Sequence, residues 1–211
     1  MQLKKVSKAM LRRLPGYLDY LKSLPENASA NISARTMADA LGLGDVLVRK
    51  DLAMVSDGGR CKTGHLRETL IKDIEDFLDY NKRADAILIG AGKLGQALMG
   101  YDGFEGYGLN ILAGFDIAPT CTQTDSGKPI YSIDALEDFC HKNDVRIGII
   151  TVPSSHAQQA CDMLIACGIK AIWNFAPVHL RVAKHILVQN ENLAVSLTAL
   201  RMQLKGQLND E

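Results

Sequence analysis

The residues with the clearest chemistry form the run Ile89-Gly90-Ala91-Gly92-Lys93-Leu94-Gly95, directly after the apolar stretch Ala86-Ile87-Leu88-Ile89. In a strand–turn–helix context each glycine has a separate task. Gly90 permits the tight turn, Gly92 lets a pyrophosphate approach the backbone, and Gly95 lets the next helix pack on the strand. The amides from Ala91 through Lys93 and Leu94 then face the phosphates, helped by the helix dipole. A second apolar run, Ile111-Leu112-Ala113-Gly114-Phe115, ends in Asp116. A carboxylate there accepts hydrogen bonds from both hydroxyls of an adenine ribose and repels a 2′-phosphate. The following Ile117-Ala118 offers no arginine to hold one. The expected ligand is therefore NAD(H) rather than NADP(H).

Hydride transfer would also need a proton donor near the substrate. The candidates are His141, His156, His179 and His185, none with a recognisable partner, so no catalytic residue is assigned. The five cysteines contain no C-x-x-C spacing, and no metal set is assigned. Cys161 and Cys167 are the best thiol pair by spacing. Six residues apart on an expected helix, they point in different directions, which argues against a disulfide.

The elements that must position the glycine turn alternate along the second half of the chain. Strands are expected at 86–89, 111–116, near Ile130, at 147–152, 171–173 and 186–188. Helices are expected at 93–101, 134–141 and 155–167. This alternation calls for an α/β, Rossmann-type, doubly wound parallel sheet. Leu193, Val195, Leu197, Leu200 and Leu204 describe a last helix with no partner in its own domain, read as a dimer element.

The first eighty residues read differently. Leu11, Leu14, Leu18, Leu21 and Leu24 recur at helical spacing, and Pro15 must sit in the first turn of that helix or kink it. Ser33 can cap a second helix through Leu41, with Met37, Ala38 and Leu41 inward and Gly42 ending it. A third helix, 45–55, carries Arg49 and Lys50, and the glycine-rich, basic stretch 56–64 suits a hairpin wing. Together they spell a winged helix-turn-helix with the third helix as reader. A connecting helix runs from about Leu66 to about Tyr80. The expected division is a DNA-binding module at 1–80, a nucleotide-binding module at 81–190 and a dimerisation helix at 191–211.

Charge supports that division. Residues 1–67 carry twelve Lys/Arg against six Asp/Glu, and the remainder carries twelve against eighteen, although the whole chain is neutral. A basic module that meets phosphate is joined to an acidic one that does not. No apolar run approaches the roughly 20 residues that span a bilayer, and the N-terminus lacks the apolar core of a secretion signal.

These strings resemble those of the Rex redox-sensing transcriptional repressors of bacteria, over nearly the whole length. The match includes Leu11-Arg12-Arg13-Leu14-Pro15 with Tyr17, Val48-Arg49-Lys50-Asp51-Leu52, Gly90 to Gly95, Tyr101 with Gly103-Phe104, and Phe115-Asp116. It continues through Thr151-Val152-Pro153, Asn174-Phe175-Ala176-Pro177-Val178 and Leu193-Ala194-Val195. The resemblance implies a cytoplasmic homodimer with a swapped C-terminal helix, whose winged helices bind a palindromic double-stranded operator. NAD(H) would act as a regulatory ligand, NADH releasing the DNA. Carried over by position, Arg49 and Lys50 meet the operator, and Arg12, Arg13, Arg60 and Lys62 are phosphate-contact candidates. Tyr101, Pro153 and Phe175 surround the nicotinamide end, and Thr151, Val152, Asn174 and Ala176 complete the cofactor set. A buried apolar pocket there favours NADH, because reduction removes the ring's positive charge and its desolvation cost.

The chain also departs from the family. Asp19 stands where an arginine is usual two residues after the tyrosine matched by Tyr17, and Asn192 where an aspartate usually precedes Leu193. In the family these positions couple the DNA-binding domain to the nucleotide state, and here their ion pair cannot form. Leu47, Ala53-Met54-Val55-Ser56 and Cys61-Lys62 also differ from the usual residues, so the operator is expected to be related to the common one but altered. The competing readings are a small NAD-dependent oxidoreductase with an accessory N-terminal domain, and a nucleotide-binding module uncoupled from DNA regulation.

Overall fold

The computed structural model describes residues 6–59 and 64–209. The chain folds as two compact units, 1–82 and 83–211.

In the first unit, helix α1 (Lys8–Ser23) starts at Ser7, whose side chain accepts the Met10 N–H at 3.1 Å. Its buried stripe is Met10, Leu14, Tyr17, Leu18 and Leu21. Leu11, expected in that stripe, is 38% exposed, and Met10 and Tyr17 take the inward positions instead. Pro15 stands in the middle of the helix, not in its first turn. It brings no N–H for the carbonyl four residues back, that of the exposed Leu11. Helix α2 (Ala34–Leu41) is capped by Ser33, which accepts the Thr36 N–H at 3.0 Å. Gly42, in the left-handed region at φ 64°, terminates it. Helix α3 (Asp45–Val55) has the expected bounds and packs on α2. Strands β1 (Asn31–Ile32) and β2 (His65–Leu66) pair antiparallel, and helix α4 (Arg67–Phe77) packs across α1. Leu14, Leu21, Met37, Val48, Leu52 and Ile74 form one fully buried core. The expectations for Arg60, Cys61 and Lys62 lie outside the described residues.

The second unit is a six-stranded, wholly parallel sheet. Its strands are β3 (Ala84–Ile89), β4 (Leu109–Asp116), β5 (Ile130–Ser132), β6 (Ile147–Ile150), β7 (Ala171–Asn174) and β8 (Leu187–Asn190). The spatial order is β5-β4-β3-β6-β7-β8. Counted within this sheet, that is 3-2-1-4-5-6, the order of dinucleotide-binding sheets. Strand β3 is central and buried on both faces, hence its unbroken apolar sequence. Ile87 and Ile89 enter one core cluster with Phe115 and Leu164, while Ala86 and Leu88 enter the other with Ile111 and Met99. Helices α5 (Lys93–Met99), α6 (Leu136–Asn143) and α7 (Ser154–Ala166) are the crossovers. Helix α5 stops before Tyr101, and a 3-10 segment, Asp102–Tyr107, leads into β4.

Helix α8 (Leu193–Asn209) follows β8. Asn192 caps it, its Oδ1 accepting the Ala194 and Val195 N–H groups at 3.1 and 3.3 Å. Val195, Leu197, Leu200, Met202 and Leu204 on this helix are all more than half exposed. Among the described cysteines, Cys140 on α6 and Cys167 are close enough for their thiols to influence each other. Burial pushes the Cys140 thiol up to about 12 and the Cys161 thiol up to about 11, which keeps both protonated and unreactive. No helix among the described residues is long and apolar enough to cross a membrane.

Candidate functional site

The strand order reverses between β3 and β6, and there a cleft of about 550 Å³ opens over their C-terminal ends. Gly90, Gly92, Asp116, Thr151, Val152 and Pro153 line it together. The glycine turn between β3 and α5 is built as its sequence requires. Gly90 has φ 102°, and a Cβ there would lie 2.8 Å from Val152 Cγ1. Gly95 is buried with a Cβ position blocked by the Gly90 carbonyl, so any larger residue would push α5 off the strand. A Cβ on Gly92 would meet nothing within 4 Å, so this is the open side of the turn, where a pyrophosphate can reach the backbone.

Three side chains hold the turn in place. Asp116 accepts the Ala91 N–H at 2.9 Å through Oδ2 and the Ala118 N–H at 3.0 Å through Oδ1. Gln96 donates to the Ala91 carbonyl at 2.8 Å, and the Thr151 hydroxyl donates to the Gly90 carbonyl at 2.7 Å. A carboxylate offers about four acceptor positions, so Asp116 keeps capacity for a ribose diol on the cleft wall. The open Gly92 edge, the Asp116 carboxylate and the cleft size fit a dinucleotide. When bound, NAD(H) would supply a ring whose charge differs between its two redox states.

Other expected cofactor residues do not line the cleft. Lys93 and Leu94 are exposed on the first turn of α5. Asn174 is fully buried, with every polar atom engaged inside the protein. Its Nδ2 donates to the carbonyls of Ala176 (3.1 Å) and Val178 (2.9 Å) and to Asn190 Oδ1 (2.9 Å), and its Oδ1 accepts the Ala176 N–H at 3.0 Å. Asn174 and the buried Ala176 therefore shape the loop after β7. Tyr101 and Phe175 are linked through an aromatic chain. Tyr101 packs edge-on to Phe104 (4.9 Å), Phe104 to Trp173 (5.6 Å), and Trp173 against Phe175 (4.6 Å). The cleft also recruits Ile117, Ile133, His156, Gln159, Ala160 and Met163, which the motif reading did not single out as ligand residues. The signal available for the α7 residues was their place just after Thr151-Val152-Pro153, at the switch point.

In the first unit the reader helix is anchored by a buried carboxylate. Asp51, 5% exposed, accepts from Arg13 Nε (2.8 Å) and Nη2 (3.0 Å) and from the Tyr17 hydroxyl (2.9 Å). Arg13, its side chain 23% exposed, is tied to Asp51, and Tyr17, 1% exposed, is buried in the core of the DNA-binding unit. Burial, then the bond to Asp51, pushes the Tyr17 hydroxyl up to about 12. Arg12, Arg49 and Lys50 are exposed, and Arg49 Nη2 lies 2.6 Å from Asp45 Oδ2 one turn back.

Two family models match the chain: "CoA binding domain" over residues 81–178 and "Putative DNA-binding protein N-terminus" over residues 5–53. The redox-sensing transcriptional repressor Rex of Porphyromonas gingivalis is 38% identical over 203 residues, covering 96% of this chain and 93% of the relative. The chain belongs to the Rex family. Rex of Clostridium acetobutylicum is 34% identical over 203 residues, covering 96% and 95% of the two chains. Among solved structures, the Rex-family repressor RSP in complex with β-NAD+ and operator DNA superposes with a TM-score of 0.86 at 34% identity, covering 98% of each chain. The same repressor with β-NADH gives 0.84, covering 96% of each chain. Rex relatives are transcriptional repressors, not enzymes, which sets aside the oxidoreductase alternative.

Proposed function

We propose that this protein is an NAD(H)-responsive repressor that binds operator DNA through the outward face of α3 and binds the dinucleotide in the cleft over β3 and β6. The observation that carries the reading is one chain holding both parts. A turn with an open Gly92 edge and a cleft-wall Asp116 is joined to a helix-turn-helix whose reader exposes Arg49 and Lys50. The functional division is a DNA-binding module at 1–80, a nucleotide module at 81–190 and a dimerisation helix at 191–211. The exposed apolar side chains of α8 need cover, and a second copy in a homodimer supplies it on a palindromic operator. The setting is the bacterial cytoplasm.

Val152, Pro153 and Met163 give the cleft apolar walls, which disfavour the cationic ring of NAD+ once water is excluded, so NADH binds the closed form better. Asp116 sets the preference for an unphosphorylated ribose. Arg49, Lys50 and Arg12 meet the operator, while Arg13 and Tyr17 hold the reader in place through Asp51. Asn192 spends its side-chain oxygen on the cap of α8, and as a neutral amide it carries no charge to an arginine across the dimer. Together with Asp19 this makes the link between nucleotide and DNA weaker than a salt bridge would.

Two substitutions test the division of labour. Arg49→Ala should abolish binding to DNA selected from a random pool while leaving NADH affinity within about twofold. Asp116→Ala should weaken NAD(H) and reduce discrimination against NADP(H) while leaving nucleotide-free DNA binding intact. If Arg49→Ala leaves DNA binding unchanged, the uncoupled nucleotide-binding alternative takes precedence.

A further inference from the structure

Helix α3 has one face that its own fold does not use. Val48, Asp51 and Leu52 are buried on the inner side. On the opposite side Val46, Arg49, Lys50 and Ala53 fall at i, i+3, i+4 and i+7, and all four are exposed. Val46 lies at the centre of that stripe, in the first turn of the helix, and is 62% exposed. Leu47 lies at its margin, 39% exposed. A β-branched apolar side chain held in water between two cations contributes nothing to the core below it.

The first turn of a helix-turn-helix reader is the part that reaches base edges. In the major groove the C5-methyl of thymine is the apolar group a side chain can meet. Arg49 and Lys50, one turn on and on the same face, supply the positive charge that draws this surface to DNA. Asp45 holds Arg49 back along the helix at 2.6 Å, and its other carboxylate oxygen is buried with no hydrogen-bond partner. That acidic group one residue before Val46 opposes close approach of a phosphate, so this turn suits a base edge better than the backbone.

We infer that Val46 is a specificity-determining residue that seats against a thymine methyl group in the major groove of the operator. The inference rests on the operator-binding reading above. The groove supplies the cover for Val46, and Val46 supplies discrimination by shape and apolar contact rather than by hydrogen bonding.

The test uses the full-length protein with NAD+ at one salt concentration. A duplex is selected from a random DNA pool, and each of its thymines is then replaced by deoxyuridine, which removes only the methyl group. At one position per half-site the substitution should weaken binding by the protein about fourfold, the effect of one buried methyl. Val46→Ala should bind the unmodified duplex about fourfold more weakly, lose nothing further on that uracil, and match the parent on unselected DNA. Val46→Thr, which keeps one methyl of the branch, should fall between them. The inference is overturned if every uracil is neutral to the parent, or if Val46→Ala still loses fourfold at the same position. A protein that enriches no sequence at all overturns the operator-binding reading and this inference with it. That outcome is distinct, because no duplex then exists to substitute.

Discussion

The two units each fix one element with a buried polar residue, the reader helix in one and the loop after β7 in the other, but they use opposite chemistry. In the DNA-binding unit the anchor is charged: Asp51 on the reader helix takes three hydrogen bonds, two of them from the guanidinium of Arg13. In the nucleotide unit it is neutral: Asn174 donates and accepts four bonds with its own loop and with Asn190. The difference follows from what each must fix. A helix must be held against rotation by elements more than thirty residues away in sequence, and a bidentate guanidinium–carboxylate pair does that through a rigid fork. The loop after β7 has both carbonyls and N–H groups to satisfy at once, which an amide can do and a carboxylate cannot.

Breaking the charged anchor should have the largest effect. Asp51→Ala leaves the Arg13 guanidinium and the Tyr17 hydroxyl without their acceptor and should cost about 3 kcal/mol of stability, measured by denaturant unfolding. A loss below about 1 kcal/mol would mean that the network is incidental to the fold.

The neutral anchor should respond to charge rather than to size. Asn174→Asp keeps the shape but sets carboxylate oxygens against the carbonyls of Ala176 and Val178, so the variant should lose about 2 kcal/mol at neutral pH. Recovery of that loss in acid, as the new carboxyl protonates, separates electrostatic repulsion from poor packing. A loss independent of pH would count against the electrostatic account.

A pH titration sharpens the contrast further. The folded Tyr17 hydroxyl holds its proton up to about pH 12, against about 10 for an unfolded tyrosine. Its stabilising contribution is complete below pH 10 and is lost as pH rises from 10 toward 12, because the unfolded state releases the proton first. Subtracting the stability profile of Tyr17→Phe from that of the parent should leave this decline. A flat difference would mean that the hydroxyl is not held as described.

The smallest expected effect on folding belongs to Gly92. Gly92→Ala places a Cβ in open space and should leave thermal stability within about 0.5 kcal/mol of the parent. It should still weaken NADH binding at least tenfold by obstructing the pyrophosphate's approach. Unchanged NADH affinity would remove the Gly92 edge from the binding surface.

Legibility in the sequence followed interaction range. The bounds of α3, the caps at Ser33 and Gly42, and the strand–turn–helix around Gly90 all rest on neighbours within a few residues, and local pattern captures them. Leu11 misled because leucine spacing alone ignored Met10 and Tyr17, which the same helix turns inward. Matched strings single out Arg13, Tyr17 and Asn174 without saying what each touches inside the fold. Their actual partners, Asp51 for the first two and Asn190 among those of the third, come from other elements, and no periodicity announces such a pair. The Cys140–Cys167 neighbourhood was hidden for the same reason. Val46 was overlooked because an exposed valine carries meaning only once the buried face of its helix is known.

The central claim is that the nucleotide's redox state controls DNA affinity, and one equilibrium titration addresses it. The dissociation constant for a selected duplex is measured at saturating NAD+ and again at saturating NADH. We expect DNA to be held with NAD+ and released by NADH, with affinities differing by about fivefold or more. Equal affinities in the two states would contradict the account and leave a DNA-binding protein whose nucleotide site does not report to its reader helix.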